Sequence, residues 1–136
     1  MRVVLDNGAY MPEKANKADA GYDLRTPKEY TVCAGHSCII GTGVHIEIPN
    51  GYVGFLKSKS GLNVKYNLTS EGVIDSGYTG EIVVKIYNHG TQDYHFHKGD
   101  KITQIVFLPI GNFDLEQVDK LYETERGNNG FGSSGR

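Results

Sequence analysis

The sequence predicts an all-β domain, and three observations carry that prediction. Short runs rich in β-branched and aromatic residues recur along the chain, several of them alternating in polarity. Turn-forming residues separate these runs at regular intervals, the pattern of a sandwich, jelly roll or barrel. Helical periodicity is confined to roughly one or two turns around residues 60–66.

In chain order, the strand candidates are residues 30–33, 43–48, 51–56, 81–87 and 101–108. Each is long enough to cross a small sheet and carries Val, Ile, Leu, Tyr or Phe at alternate positions. The breaks between them use Pro49-Asn50-Gly51, Ser76-Gly77, Asn88-His89-Gly90 and Lys98-Gly99-Asp100, residues that bond their own backbone or reach positive φ. Residues 71–81 read as a glycine-bounded hairpin. The sequence shows no internal repeat and no long linker.

The chain has 136 residues, which fits one domain. With 14 Lys+Arg against 16 Asp+Glu its net charge is -2, so it has no broad electrostatic grip on a polyanion, and a nucleic-acid polymer is not the expected partner. No apolar stretch is long enough for a membrane span and the first residues lack a signal-peptide profile, so the expected setting is cytoplasmic, intracellular and soluble. Two cysteines, Cys33 and Cys38, are too few for a disulfide framework. A small β domain with 18 glycines buries little surface and exposes strand edges, which oligomerisation would cover.

Four segments could carry chemistry. Asp75 follows the apolar pair Val73-Ile74 within the hairpin, where a carboxylate must be solvated, hydrogen-bonded or catalytic. On spacing alone an Asx-type turn accounts for it, and Tyr78 reads as a strand-surface aromatic. Lys57-Ser58-Lys59-Ser60-Gly61 precedes the short helix and offers ammonium, hydroxyl and amide donors suited to phosphate, without the spacing of a P-loop. A serine cap flanked by solvated lysines is the plainer reading. His95-Phe96-His97 puts two imidazoles on one strand face, and residues 33–38 hold Cys, His and Cys, yet neither completes a standard tetrahedral zinc spacing. Residues 126–136, polar and glycine-rich with Phe131 the one large apolar side chain, have either a solvated tail's composition or a closing lid's.

Taken together, the segments resemble the homotrimeric dUTPase family. Residues 20–26 (AGYDLRT), 59–62 (KSGL), 71–80 (EGVIDSGYTG), 98–105 (KGDKITQI) and 126–135 (RGNNGFGSSG) match its five short motifs in order, covering the chain nearly end to end. The resemblance implies a distorted jelly-roll (β-clip) subunit with at most one short helix, and a homotrimer with threefold symmetry whose active sites are shared between subunits. It divides the chain into a β domain, residues 1–125, and a mobile glycine-rich lid, residues 126–136, arriving from a neighbour. It implies hydrolysis of dUTP to dUMP and diphosphate, which keeps uracil out of DNA and supplies dUMP for thymidylate synthesis. A dCTP deaminase of related fold and a nucleotide-dependent regulatory binder are the alternatives; the deaminase pattern has a tryptophan where Tyr78 stands, and this chain has no Trp.

Carried over residue by residue, the resemblance makes Asp75 the base that activates water for attack on the α-phosphorus. Tyr78 becomes the platform beneath the sugar. Thr69 and the main chain of Gly72, Val73 and Ile74 read uracil. Lys59, Ser60, Gly61 and Gln104 hold phosphate, as do Arg126, Ser133 and Ser134, with Gly132 among the substrate-binding positions and Phe131 stacking on the base. Mg²⁺ is the implied cofactor, bound mostly through substrate phosphates, with Asp23 holding one of its waters. Lys59 stands where the family commonly has arginine, and Gly77 where many members have a second acid, at a position expected to tolerate change.

Overall fold

The computed structural model describes residues 1–130; Phe131, Gly132, Ser133 and Ser134 lie outside the described residues. Ten strands and one helix follow in the order β1 (Val3–Leu5), β2 (Gly21–Arg25), β3 (Tyr30–Val32), β4 (Ser37–Gly41), β5 (Val44–Ile46), β6 (Tyr52–Lys57), α1 (Ser60–Tyr66), β7 (Leu68–Ile74), β8 (Val83–Asn88), β9 (Tyr94–Phe96) and β10 (Lys101–Pro109). The all-β expectation with one short helix holds.

A six-stranded antiparallel sheet in the order β2-β10-β6-β7-β8-β4 curls around the core, and two-stranded ribbons β1-β5 and β3-β9 accompany it. Its longest strand, β10, pairs with β2 on one side and β6 on the other. Strand β8 shows why the sequence folds this way: Val84, Ile86 and Asn88 point inward while Val83, Lys85 and Tyr87 point out. Leu24, Ile40, Leu56, Leu68, Ile82, Phe96, Ile102 and Ile105 are buried together with Val84 and Ile86 in one apolar cluster. Each such side chain contributes roughly 1.5–3 kcal/mol relative to exposure. Asn88 is admitted because its amide is satisfied, donating to Val32 O at 2.8 Å and Gln92 O at 2.9 Å and accepting from Gly90 N.

Helix α1 buries none of its residues. Lys59 occupies its N-cap position without a side-chain cap, so Ser60 is not the capping serine that local sequence suggests. Asn67 ends it in the left-handed region at φ 56°.

Strand structure stops at Pro109. From residue 110 to 130 the chain has no strand or helix and is almost wholly exposed. Leu115 and Tyr122 are each 99% exposed.

Candidate active site

The phosphate-type residues converge at one end of the sheet. Asp23 on β2 is opposite Gln104 on β10, which is in turn opposite Lys57 on β6. Gln104 Nε2 donates to Ser58 O at 3.2 Å, and Gly21 leaves the room that the Gln104 side chain fills. The carboxylate of Asp23 is buried and receives two ammonium groups: Lys59 on Oδ1 and Lys101 on Oδ2, the latter at 2.6 Å. Desolvation is the largest single influence on Asp23 and raises its pKa, but the hydrogen bonds and the charge attraction of Lys101 and Lys59 together outweigh it. The carboxyl is thereby held below its ordinary range.

A buried hydroxyl chain fixes the strand exit that presents Lys59, Ser60 and Gly61. Thr103 Oγ1 donates to Lys57 O at 3.0 Å, so Ser70 supplies the proton of the 2.8 Å Ser70–Thr103 contact. The Ser58 hydroxyl donates to Ser70 O and accepts from Ser70 N. Sequence reasoning missed Ser58, Ser70, Lys101 and Thr103 in this role. The available signal was polar residues at inward positions of strands β7 and β10, which must find partners there. Ser60 and Gly61 are exposed, and nothing crowds Gly61.

The second group lies at the other end of β7. Glu71 pairs with Lys57 and Ile74 with Gly54, so Asp75 is four residues beyond Glu71, roughly 13 Å along the strand. Asp75 begins a turn closed by Tyr78 N donating to Asp75 O at 3.3 Å, with Gly77 at φ 83°. That geometry is a type II turn, which favours glycine or asparagine at its third position. A substitution at position 77 therefore carries a backbone cost, smallest for Asn or Asp. Asp75 is exposed. Tyr78 is 46% exposed and donates its hydroxyl to Glu81 O at 2.9 Å; its ring takes the space a side chain on Gly80 would need.

Strand β7 changes partners between these ends. Residues Leu68, Thr69 and Ser70 pair with β8, whereas Glu71, Gly72, Val73 and Ile74 pair with β6. Past Ser70 the β8 ladder ends, so one edge of the Gly72-Val73-Ile74 main chain is left to other partners. Thr69 is on the far side of this switch from Asp75, and its hydroxyl contacts His89 Nε2 at 2.8 Å. Arg126 and Asn129 form a local turn, with Asn129 N donating to Arg126 O at 2.9 Å and Arg126 Nε donating to Asn129 O at 3.2 Å. This turn is the structural setting of Asn129.

A concavity of about 520 Å³ lined by Arg2, Val4, His45, Glu47 and Thr79 among others contains neither group. One chain thus carries two groups of candidate residues: a cationic one around Asp23, Lys59 and Gln104, and one at the turn beyond β7 with Asp75 and Tyr78, joined by Gly72, Val73 and Ile74 of β7.

A polar, glycine-rich site of this kind on a curled antiparallel sheet has close counterparts. The dUTPase family model matches residues 7–135. The deoxyuridine 5'-triphosphate nucleotidohydrolase of Clostridium acetobutylicum is 40% identical over 134 residues, covering 96% of this chain and 92% of the relative. That of swinepox virus is also 40% identical, over 98% of this chain and 94% of its own. Among solved structures, a mutant dUTPase of Staphylococcus bacteriophage 80alpha with dUpNHpp superposes with a TM-score of 0.94 at 33% identity, over 99% and 98% of the two chains. A mutant dUTPase of S. aureus phage phi11, described with a structural Mg(II) ion, gives 0.83 at 31% identity, over 90% and 98%. The chain belongs to the dUTPase family.

Proposed function

We propose that this chain is a dUTP diphosphatase that works as a homotrimer, each active site combining the cationic half of one subunit with the hairpin half of another. The observation that carries the shared site is the separation of the two halves along β7, roughly 13 Å in a strand that cannot fold back on itself. Exposed apolar residues on the segment after β10, with Phe113 at 83%, Leu115 at 99% and Tyr122 at 99%, support assembly.

Uracil is read at the partner switch of β7, where the open main-chain edge of Gly72, Val73 and Ile74 offers N–H and C=O groups in fixed order. A backbone slot of that kind accepts uracil, meets cytosine with mismatched donors and excludes the thymine methyl by size. Thr69 borders the switch and acts through its place on the strand. Tyr78 presents its ring beside the hairpin as the sugar platform, rejecting a ribose 2'-hydroxyl by lack of room.

Asp75 takes the proton of the water that attacks the α-phosphorus. Its exposed place at the start of a rigid turn leaves both carboxylate oxygens able to accept. The diphosphate leaves with one more negative charge to be accommodated, and Lys59, Ser60, Gly61 and Gln104 of the other half supply donors and positive charge. Lys59 reaches phosphate by leaving Asp23, which keeps Lys101 as its counter-ion. Arg126, Gly132, Ser133 and Ser134 of the lid hold the terminal phosphates and Phe131 stacks on the base.

Mg²⁺ fits this chain in one form. Asp23 accepts one hydrogen bond on each oxygen, which leaves lone pairs for a metal-bound water. Among the described residues no cluster of acidic and His ligands surrounds Asp23, so the ion is held mainly by the substrate. When bound, it supplies neutralising charge to the phosphates.

The test is incubation of the purified protein with dUTP and, separately, with dCTP. Diphosphate from dUTP and no ammonia from dCTP is the expected result; ammonia from dCTP without diphosphate from dUTP overturns the proposal.

A further inference from the structure

Strand β9 carries His95, and His97 is the first residue past its end; both are exposed on the solvent face of the β3-β9 ribbon. Thr31 pairs with His95 and Tyr30 with Phe96, so the next position on the first strand, Glu29, falls opposite His97 on that same face. Side chains from both strands therefore meet. Glu29 Oε1 is 3.8 Å from His97 Nδ1, and Glu29 Oε2 is 3.9 Å from His95 Nε2. One ligand atom from each of the three residues lies within 4.8 Å of the others.

From these positions we infer that Glu29, His95 and His97 form a binding site for a divalent transition ion of imidazole preference, Zn²⁺ foremost. Ligand atoms around a tetrahedral zinc are about 3.3 Å apart, given bond lengths of about 2.0–2.1 Å. Closing the observed gaps takes only small rotations of exposed side chains. Two nitrogens and one carboxylate are also the set found in hydrolytic zinc sites, which leave the fourth position to water.

A second observation concerns the tautomer. His95 Nδ1 is 3.0 Å from Thr31 Oγ1, its cross-strand partner. With Nδ1–H donating to that hydroxyl, the lone pair of Nε2 is directed toward Glu29, the arrangement that outer hydrogen bonds impose on metal-bound histidines. A dication placed between the three groups selects the tautomers in which His95 Nε2 and His97 Nδ1 present lone pairs beside the Glu29 carboxylate. None of the three residues belongs to either group of candidate active-site residues, so the bound ion acts on the ribbon: it ties residue 29 to residues 95 and 97 and stiffens a sheet of two three-residue strands. The sequence shows half of this site, in His95-Phe96-His97; Glu29 is supplied by the fold.

The experiment is calorimetric titration of the full chain with Zn²⁺, and separately with Mg²⁺, in chelator-free buffer. Expected are one Zn²⁺ per chain, affinity at least about tenfold weaker in His97→Ala and in Glu29→Gln, and unchanged affinity when Cys33 and Cys38 are both replaced by Ser. Mg²⁺, which prefers oxygen ligands, gives no heat that the His97→Ala exchange removes. Zinc binding that survives His97→Ala, or that disappears with the cysteines, overturns the inference, as does the absence of zinc binding. Turnover of dUTP by His97→Ala at the wild-type rate shows that any lost zinc binding is not lost folding.

Discussion

The two ends of β7 differ in how their charges are held. At one end Asp23 is buried and bound by Lys59 and Lys101, and Ser58, Ser70 and Thr103 lock the strands beneath it. At the other, Asp75 and Tyr78 project from a turn into solvent. The first end holds both its cations on Asp23, so in the function proposed a phosphate draws Lys59 away from that carboxylate while Lys101 stays. The second has a rigid backbone but open space in front of it. In the function proposed above a complete site needs both, and along β7 the Asp75 turn lies roughly 13 Å from the Lys57–Glu71 pair.

Breaking each end should therefore produce different losses. The largest belongs to Asp75→Asn: turnover falls by roughly 10²–10⁴ or more, while a non-hydrolysable dUTP analogue still binds. Single-turnover assays beside binding titrations check this, and near-normal turnover removes Asp75 from the role of base. Next is deletion of residues 126–136, which lowers turnover on the order of a hundredfold with melting temperature retained if, as proposed, those residues serve as a lid. Loss of folding in the shortened chain would make the segment structural.

Smaller effects fall on stability. Asp23→Asn leaves two ammonium groups without their shared counter-charge and costs about 1–3 kcal/mol, read as a lower melting temperature at fixed protein concentration. The wild-type carboxyl has a lowered pKa when folded, so its stabilisation is complete above the unfolded carboxylate value of about 3.9 and is lost as pH falls through the lower folded value. The wild type should thus lose its advantage over Asp23→Asn only below about pH 4. Smallest is Gly77→Ala, about 1 kcal/mol for a Cβ at φ 83°. If Gly77→Ala proves neutral, the turn is not the rigid holder of Asp75 described above.

Much of this was legible in the sequence because strand alternation and turn residues are local signals. The runs at residues 51–56, 81–87 and 101–108 became β6, β8 and β10 with small changes of boundary, and the helix appeared at Ser60–Tyr66. The three-residue strands β1 and β9 and the five-residue β4 are too short to establish a period, and they exist because a partner strand is present. The resemblance to the family's motifs singled out Asp23, Lys59, Gln104, Asp75 and Tyr78, but it does not reveal that Asp23 is shared by two lysines. Lys101 sits in a strand whose partner is remote in sequence, and that pairing is decided by topology. The same holds for Glu29, which meets His97 only through the β3-β9 register. At Gly77 the sequence shows turn composition but not the sign of φ.

The shared site is tested most directly by mixing two inactive variants. Lys59→Ala damages the cationic half and Asp75→Asn the hairpin half; equal amounts are unfolded together, refolded and assayed with dUTP. If each site draws its halves from different subunits, random assembly restores about one quarter of the wild-type rate, the share of sites that join two intact halves. If both halves served one site within one chain, every site would carry a lesion and the mixture would stay as inactive as its components.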